Sequence, residues 1–332
     1  MAAMRTIHSL PARSAFQLRA AVAVLLLVTL VAACGSPAPT TGRPSPTAAA
    51  IASATPRPTA RPAITASPES THSPTASLEA TPPPIAGATQ SACPGRPRSA
   101  HRGQVGTGVS RNWAGYVIGA TRGHVTCVEG AWTQPSVRCP ASGQASVAVW
   151  VGIDGSAAIG SIPDSSATLA QTGTFVDCND GQAQYGAWYE FLPDLRHIEP
   201  FRLAVAAGDK IWAQVRWLGK GAFSATLINL TQRVGATQRW SLRAAPLLTA
   251  EWVVEDPAAS CSSSSGSSCT FAPLARFSTV SINGAVTVSG TRYRLAAVPF
   301  PYLRTAISRS GHTLATPSSI TSSGFKVIWK AS

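Results

Sequence analysis

Alternation of apolar and polar positions dominates the chain beyond about residue 106. In Ser146–Ile153 (SVAVWVGI) it puts Val147, Val149, Val151 and Ile153 on one side and Trp150 on the other. In Tyr185–Phe191 (YGAWYEF) it opposes Tyr185, Ala187, Tyr189 and Phe191 to Gly186, Trp188 and Glu190. The same rhythm runs through Lys210–Trp217, Phe223–Leu230, Glu251–Glu255, Arg276–Ile282 and Ala285–Val288. Turn-forming pairs separate these runs: Asp154-Gly155, Asp180-Gly181, Gly208-Asp209 and Asn283-Gly284. No stretch keeps helical periodicity for three turns. Many short strands at regular spacing predict an all-β domain, a sandwich or a barrel.

The two sides of these strands differ in chemistry. Thr249–Asp256 (TAEWVVED) sets Glu251, Val253 and Glu255 on one side and Trp252 and Val254 on the other. Unpaired buried carboxylates are costly, so the carboxylate side is expected to be solvated or to line a site. Trp150, Trp188 and Glu190 also fall on the less aliphatic sides. One greasy face and one face of Trp, Glu and Gln describe an antiparallel two-sheet sandwich with a curved cleft.

Composition divides the chain into three. Residues 1–34 have a basic start (Arg5, Arg13, Arg19) and an apolar run from Ala20 to Ala33, short for a membrane span, and so resemble an export signal. The run ends VAAC. That is the form of a lipobox, with Cys34 as the lipidation site and only membrane anchor; the alternative is an ordinary signal with an incidental cysteine. Residues 35–92 are almost wholly Pro, Ala, Thr and Ser, and predict an extended tether with no core. Residues 93–332 then form the folded domain. The balance is basic, 27 Lys+Arg against 14 Asp+Glu, but the charges are dispersed and form no nucleic-acid groove. Setting Cys34 aside leaves an even number of cysteines in an exported chain, hence disulfides. Cys261 and Cys269 flank a Ser/Gly loop, and a local bridge is expected there. No metal site is expected, since CxxC and HExxH spacings are missing from the sequence.

Six segments, in order, resemble the glutamic peptidases (eqolisins): RNWAGY (Arg111–Tyr116), AWTQP (Ala131–Pro135), VWVGIDG (Val149–Gly155), AQTG (Ala170–Gly173), AWYEF (Ala187–Phe191) and EWVVED (Glu251–Asp256). The likeness runs from about Ser110 to about Trp329. Gly186 departs from it, standing where some members have Asp. The resemblance implies a sandwich of the concanavalin A-like or jelly-roll-like kind, and a catalytic dyad of Gln171 and Glu255. It implies supporting roles for Trp113, Trp150, Trp188 and Glu190, with Asp154 a candidate better read as a turn residue. It also implies a bridge Cys139–Cys178, which leaves Cys93 with Cys127. No cofactor is implied, the partners are protein or peptide substrates, and a monomer is expected, secreted or held at the outer membrane face.

The dyad has a chemical rationale. A carboxylate can deprotonate water and return the proton to the leaving amine, while the Gln amide donates to the oxyanion. With an ordinary carboxyl pKa near ~4.3, Glu255 would be competent in acid. Two other readings stay open at this point. A jelly-roll glycosidase could use Glu190 and Glu255 as its carboxylate pair, and a binding module on a stalk would use neither. Serine hydrolase and pepsin-like signatures are missing from the sequence.

Overall fold

The computed structural model describes residues 89–332 apart from 122–123, 157, 160–161, 164–167, 195–197, 262–268 and 331–332. The expected signal, Cys34 and nearly all of the tether lie outside the described residues, as do the side chains of Cys261 and Cys269. The backbone places those two cysteines directly opposite each other across a short antiparallel pair, Ala258–Cys261 with Cys269–Phe271.

Among the described residues the fold is all-β, with one 3-10 turn at Leu295–Ala297. The main strands are β1 (Val105–Ser110), β2 (Trp113–Gly119), β3 (Val125–Thr133), β4 (Gln144–Asp154), β5 (Leu169–Asn179), β6 (Gln182–Leu192), β7 (Lys210–Gly219), β8 (Ala222–Asn229) and β9 (Val234–Ser241). They continue with β10 (Thr249–Glu255), β11 (Val280–Val288), β12 (Thr291–Arg294), β13 (Tyr302–Arg309), β14 (His312–Pro317) and β15 (Phe325–Trp329).

Antiparallel pairing runs unbroken in the order β6-β5-β4-β10-β2-β13-β14-β15-β11-β3-β7-β8-β9. Two strands depart from it: β1 lies parallel on β13, and Arg96–Arg98 lies parallel on β12. Strands of the second half of this order (β3, β7, β8) touch β4 and β5 without pairing to them. The principal core fills that contact. Val147, Val149, Val151, Ile153, Ala187, Phe191, Trp252 and Val254 all enter it, the greasy sides read from the alternation. A smaller cluster of Ala148, Trp150, Leu169, Trp188 and Val253 lies on the opposite side of β4, β5, β6 and β10.

Asp180-Gly181 makes the tight hairpin between β5 and β6, with both residues at positive φ (45° and 84°). Asn283-Gly284 does not make a turn, against expectation, and β11 passes straight through it. Gly284 faces Gly130 of β3, and a Cβ there would stand 2.2 Å from Trp252 Nε1. This glycine serves a close approach, which lets the buried Trp252 indole donate to the Glu129 carbonyl at 2.9 Å.

Disulfides join Cys93 to Cys127 and Cys139 to Cys178. The first fastens the N-terminal segment to the side of β3 that faces away from the core. The Cys93 amide donates to Glu129 Oε2 at 2.6 Å, and Glu129 also pairs with Arg292. Closing loops of 34 and 39 residues is worth about 3–4 kcal/mol each in the chain-entropy account.

Candidate active site

Register sets three rows of side chains on the side of the sheet away from the principal core. The first is Glu190, Gln171, Gly152 and Glu251, on β6, β5, β4 and β10 in turn. The second is Trp188, Gly173, Trp150 and Val253. The third is Gly186, Phe175, Ala148 and Glu255, continued by Trp113 on β2. Small residues in each row leave room for large neighbours. A Cβ on Gly173 would lie 2.6 Å from Trp150 Cβ, and one on Gly152 would lie 2.9 Å from the Trp150 ring. The indole of Trp150 therefore lies flat along the sheet between the rows.

Glu255 sits at the end of β10 and accepts three N–H donors. Asn112 Nδ2 donates to Oε1 at 2.7 Å, Trp113 Nε1 to Oε1 at 3.1 Å, and Trp150 Nε1 to Oε2 at 2.7 Å. The two indoles meet edge to face, with centroids 4.9 Å apart. Asn112 was not singled out from the sequence, although it lies within the RNWAGY segment. Its signal was an amide beside a Trp at a strand start. Its carbonyl also receives the Asp256 amide at 2.8 Å, which fixes the end of β10.

Glu190, directly opposite Gln171, accepts from Gln171 Nε2 at 2.6 Å. Gln171 Oε1 is buried with no partner among the described residues. Burial pushes Glu190 up to about 7, the Gln171 bond opposing it. Burial likewise pushes Glu255 up to about 7; the Trp150, Trp113 and Asn112 donors oppose this, and the charge of Glu190 adds to it. The ordinary carboxyl pKa expected for Glu255 is thus corrected by its desolvation. The two carboxyls interact, so their protons leave as those of a pair. Three N–H donors favour the ionised form at Glu255, and one at Glu190.

Four other positions behave differently. Asp154 is buried at positive φ (70°), and its oxygens accept the Leu248 and Leu247 amides at 2.8 and 3.0 Å. That is a loop-fixing role. Glu251 overturns the expectation of a solvated or site-lining face: it is wholly buried, beside Thr249 and Asp154, and burial holds its carboxyl well above the usual range. Burial thus favours its uncharged form. Asp256 pairs with Arg309, yet burial pushes it up to about 7. Trp188 is buried in the smaller cluster, and its Nε1 has no partner among the described residues.

The arrangement can ionise a water, hold it, and donate to a developing oxyanion. The model of the Peptidase A4 family matches residues 111–329. Aspergillopepsin-2 of Aspergillus niger is 33% identical over 169 residues, 44% of this chain and 56% of that protein. Scytalidopepsin B of Scytalidium lignicola is 35% identical over 178 residues, 51% of this chain and 60% of that protein. The chain thus spans little more than half the length of either relative. A crystal structure of scytalido-glutamic peptidase with a peptide-based transition state analog matches with a TM-score of 0.54 and 26% identity, over 67% of this chain and all of that one. Another, of an eqolisin-family peptidase in complex with the tripeptide Ala-Ile-His, matches with a TM-score of 0.52.

Proposed function

Because the chain belongs to the Peptidase A4 family, we propose that it is a glutamic-type endopeptidase working through Gln171 and Glu255. The observation that carries this reading is Glu255 held by three N–H donors, two of them the indoles of Trp113 and Trp150, on the same side of the sheet as a Glu190–Gln171 pair. Ionised Glu255 takes a proton from water as the water attacks the scissile carbonyl. Gln171 Oε1, an acceptor without a partner among the described residues, holds the second hydrogen of that water. Gln171 Nε2 donates to the oxyanion, and Glu255 returns its proton to the leaving amine. Glu190 keeps its proton, so the pair carries one negative charge and not two. The glycosidase alternative has no task for Gln171.

The same reading extends to the whole chain. The pairing order and the core between its halves support a two-sheet sandwich whose outer β4–β6 and β10 surface is the cleft. Residues 1–34 would direct export, with Cys34 as a lipid anchor, and residues 35–92 would tether a monomeric domain spanning 93–332. The two disulfides fit an oxidising location outside the cell.

Purified protein is expected to hydrolyse an unfolded protein substrate in mild acid. Glu255→Gln, still folded by circular dichroism, is expected to lose that activity. A variant that keeps near-wild-type rates removes Glu255 from the mechanism.

A further inference from the structure

The third row beside Glu255 is built unlike the other two. Moving away from the carboxylate it passes Ala148 on β4, Phe175 on β5 and Gly186 on β6. Phe175 is half-buried and packs against the smaller cluster with Trp150, Trp188, Leu169 and Val253. Its ring lies on Gly186, where an added Cβ would stand 2.4 and 2.5 Å from two ring carbons. Gly186 carries no positive φ, so the backbone does not call for glycine there. The phenyl ring does. Strands are about 4.8 Å apart, so Phe175 lies about 10 Å from Glu255 along the row, the reach of about three residues of extended peptide.

We infer that Phe175, lying over Gly186 and flanked by Ala148, forms an apolar subsite that selects a large apolar or aromatic side chain within three residues of the scissile bond. The inference rests on the peptidase reading with Glu255 as base. An apolar wall at this point cannot hydrogen-bond a polar side chain, and a charged one would lose its water against the ring. An aromatic or long aliphatic side chain gains burial on the exposed part of the Phe175 ring. The row ends in a glycine, so the ring can lie flat and leave width above it.

The test is a library of unstructured peptides randomised at the three positions on each side of the cleaved bond, read by mass spectrometry. Wild-type protein is expected to favour Phe, Leu, Met or Trp over Ala, Ser and Asp at one of these positions. Phe175→Ala is expected to lower the Phe-to-Ala ratio of kcat/KM there by about tenfold or more, the size of a lost apolar contact. Gly186→Ala, which adds one methyl and displaces the ring, is expected to lower the same ratio with Phe175 itself unsubstituted. Circular dichroism and residual cleavage of the library verify that both variants fold. A preference that is absent in the wild type, or unchanged in both variants, overturns the subsite while leaving the hydrolysis intact. A library that wild type and Glu255→Gln treat alike fails earlier, and removes the peptidase reading with the subsite.

Discussion

Glu255 illustrates how local surroundings set the chemistry of one side chain. Desolvation raises its carboxyl, and three N–H groups pull it back toward the charged form. Glu190 has a single N–H donor, from Gln171, and is the better place for a retained proton. The pH profile of hydrolysis should therefore be bell-shaped. Its acid limb reports the first proton leaving the pair, and its neutral limb the second, falling as pH rises through about 7. Glu190→Gln removes the proton whose loss the neutral limb reports. The neutral limb should fade, while the acid limb, set by Glu255 ionising beside a neutral partner, should stay near its wild-type position. A neutral limb that survives the substitution would leave Glu190 a merely structural role. Gln171→Ala removes the oxyanion donor and should lower kcat by about 10²–10³ with a smaller change in KM. A loss confined to KM would place Gln171 in substrate binding alone.

Strands record how much of this was legible beforehand. The alternation in β4, β6 and β10 named the sides correctly: Val147 and Val149 enter the principal core, and Trp150 and Trp188 the smaller one. Alternation could not say how deep along a strand the solvated side ends. Glu251 and Glu255 share a side of β10, yet only Glu255 lies where the indoles can reach it. Glu251 is closed over beside Thr249 and the Asp154 loop. Asn283-Gly284 was read as a turn because the pair is a strong hairpin signal in isolation. Its real constraint comes from Trp252, more than thirty residues away in sequence, and no local rule carries that. Strand β9 went unread since VGATQRWS buries only one position, as an edge strand can. Gly284→Ala tests the close approach. The added Cβ meets both Trp252 Nε1 and the Glu129 carbonyl, and should cost about 1–3 kcal/mol in denaturant unfolding. A stability within a few tenths of wild type would mean the indole moves aside freely.

Across the domain, Glu190, Glu251, Glu255 and Asp256 are all raised by burial. Each binds its proton more tightly folded than unfolded. Between the unfolded carboxyl range, about pH 4, and about pH 7 the folded protein thus holds more protons than the unfolded chain. Stability is then greatest below that window and is lost as pH rises through it. Tm measured by calorimetry should be highest near about pH 4 and fall by pH 8. The opposite slope would show these carboxyls to be ionised in the fold. Under this balance the protein tolerates acid because protonating these four carboxyls favours the fold, and a small total of carboxylates is a secondary reason.

The bond between Cys93 and Cys127 also has a mechanical meaning. A pull on the chain from its N-terminal side meets, among the described residues, its first covalent cross-link at Cys93, and there passes into a bond to Cys127 near the start of β3. Load entering at that point bypasses the parallel seams of Arg96–Arg98 on β12 and of β1 on β13, which would otherwise unzip one hydrogen bond at a time. It is taken up by β3, held between β7 and β11, on a surface turned away from the core that separates it from β4 and β5. Stretching the N-terminal segment therefore leaves the spacing of Glu255, Gln171 and the two indoles unstrained, and reduction of that single bond removes the shield.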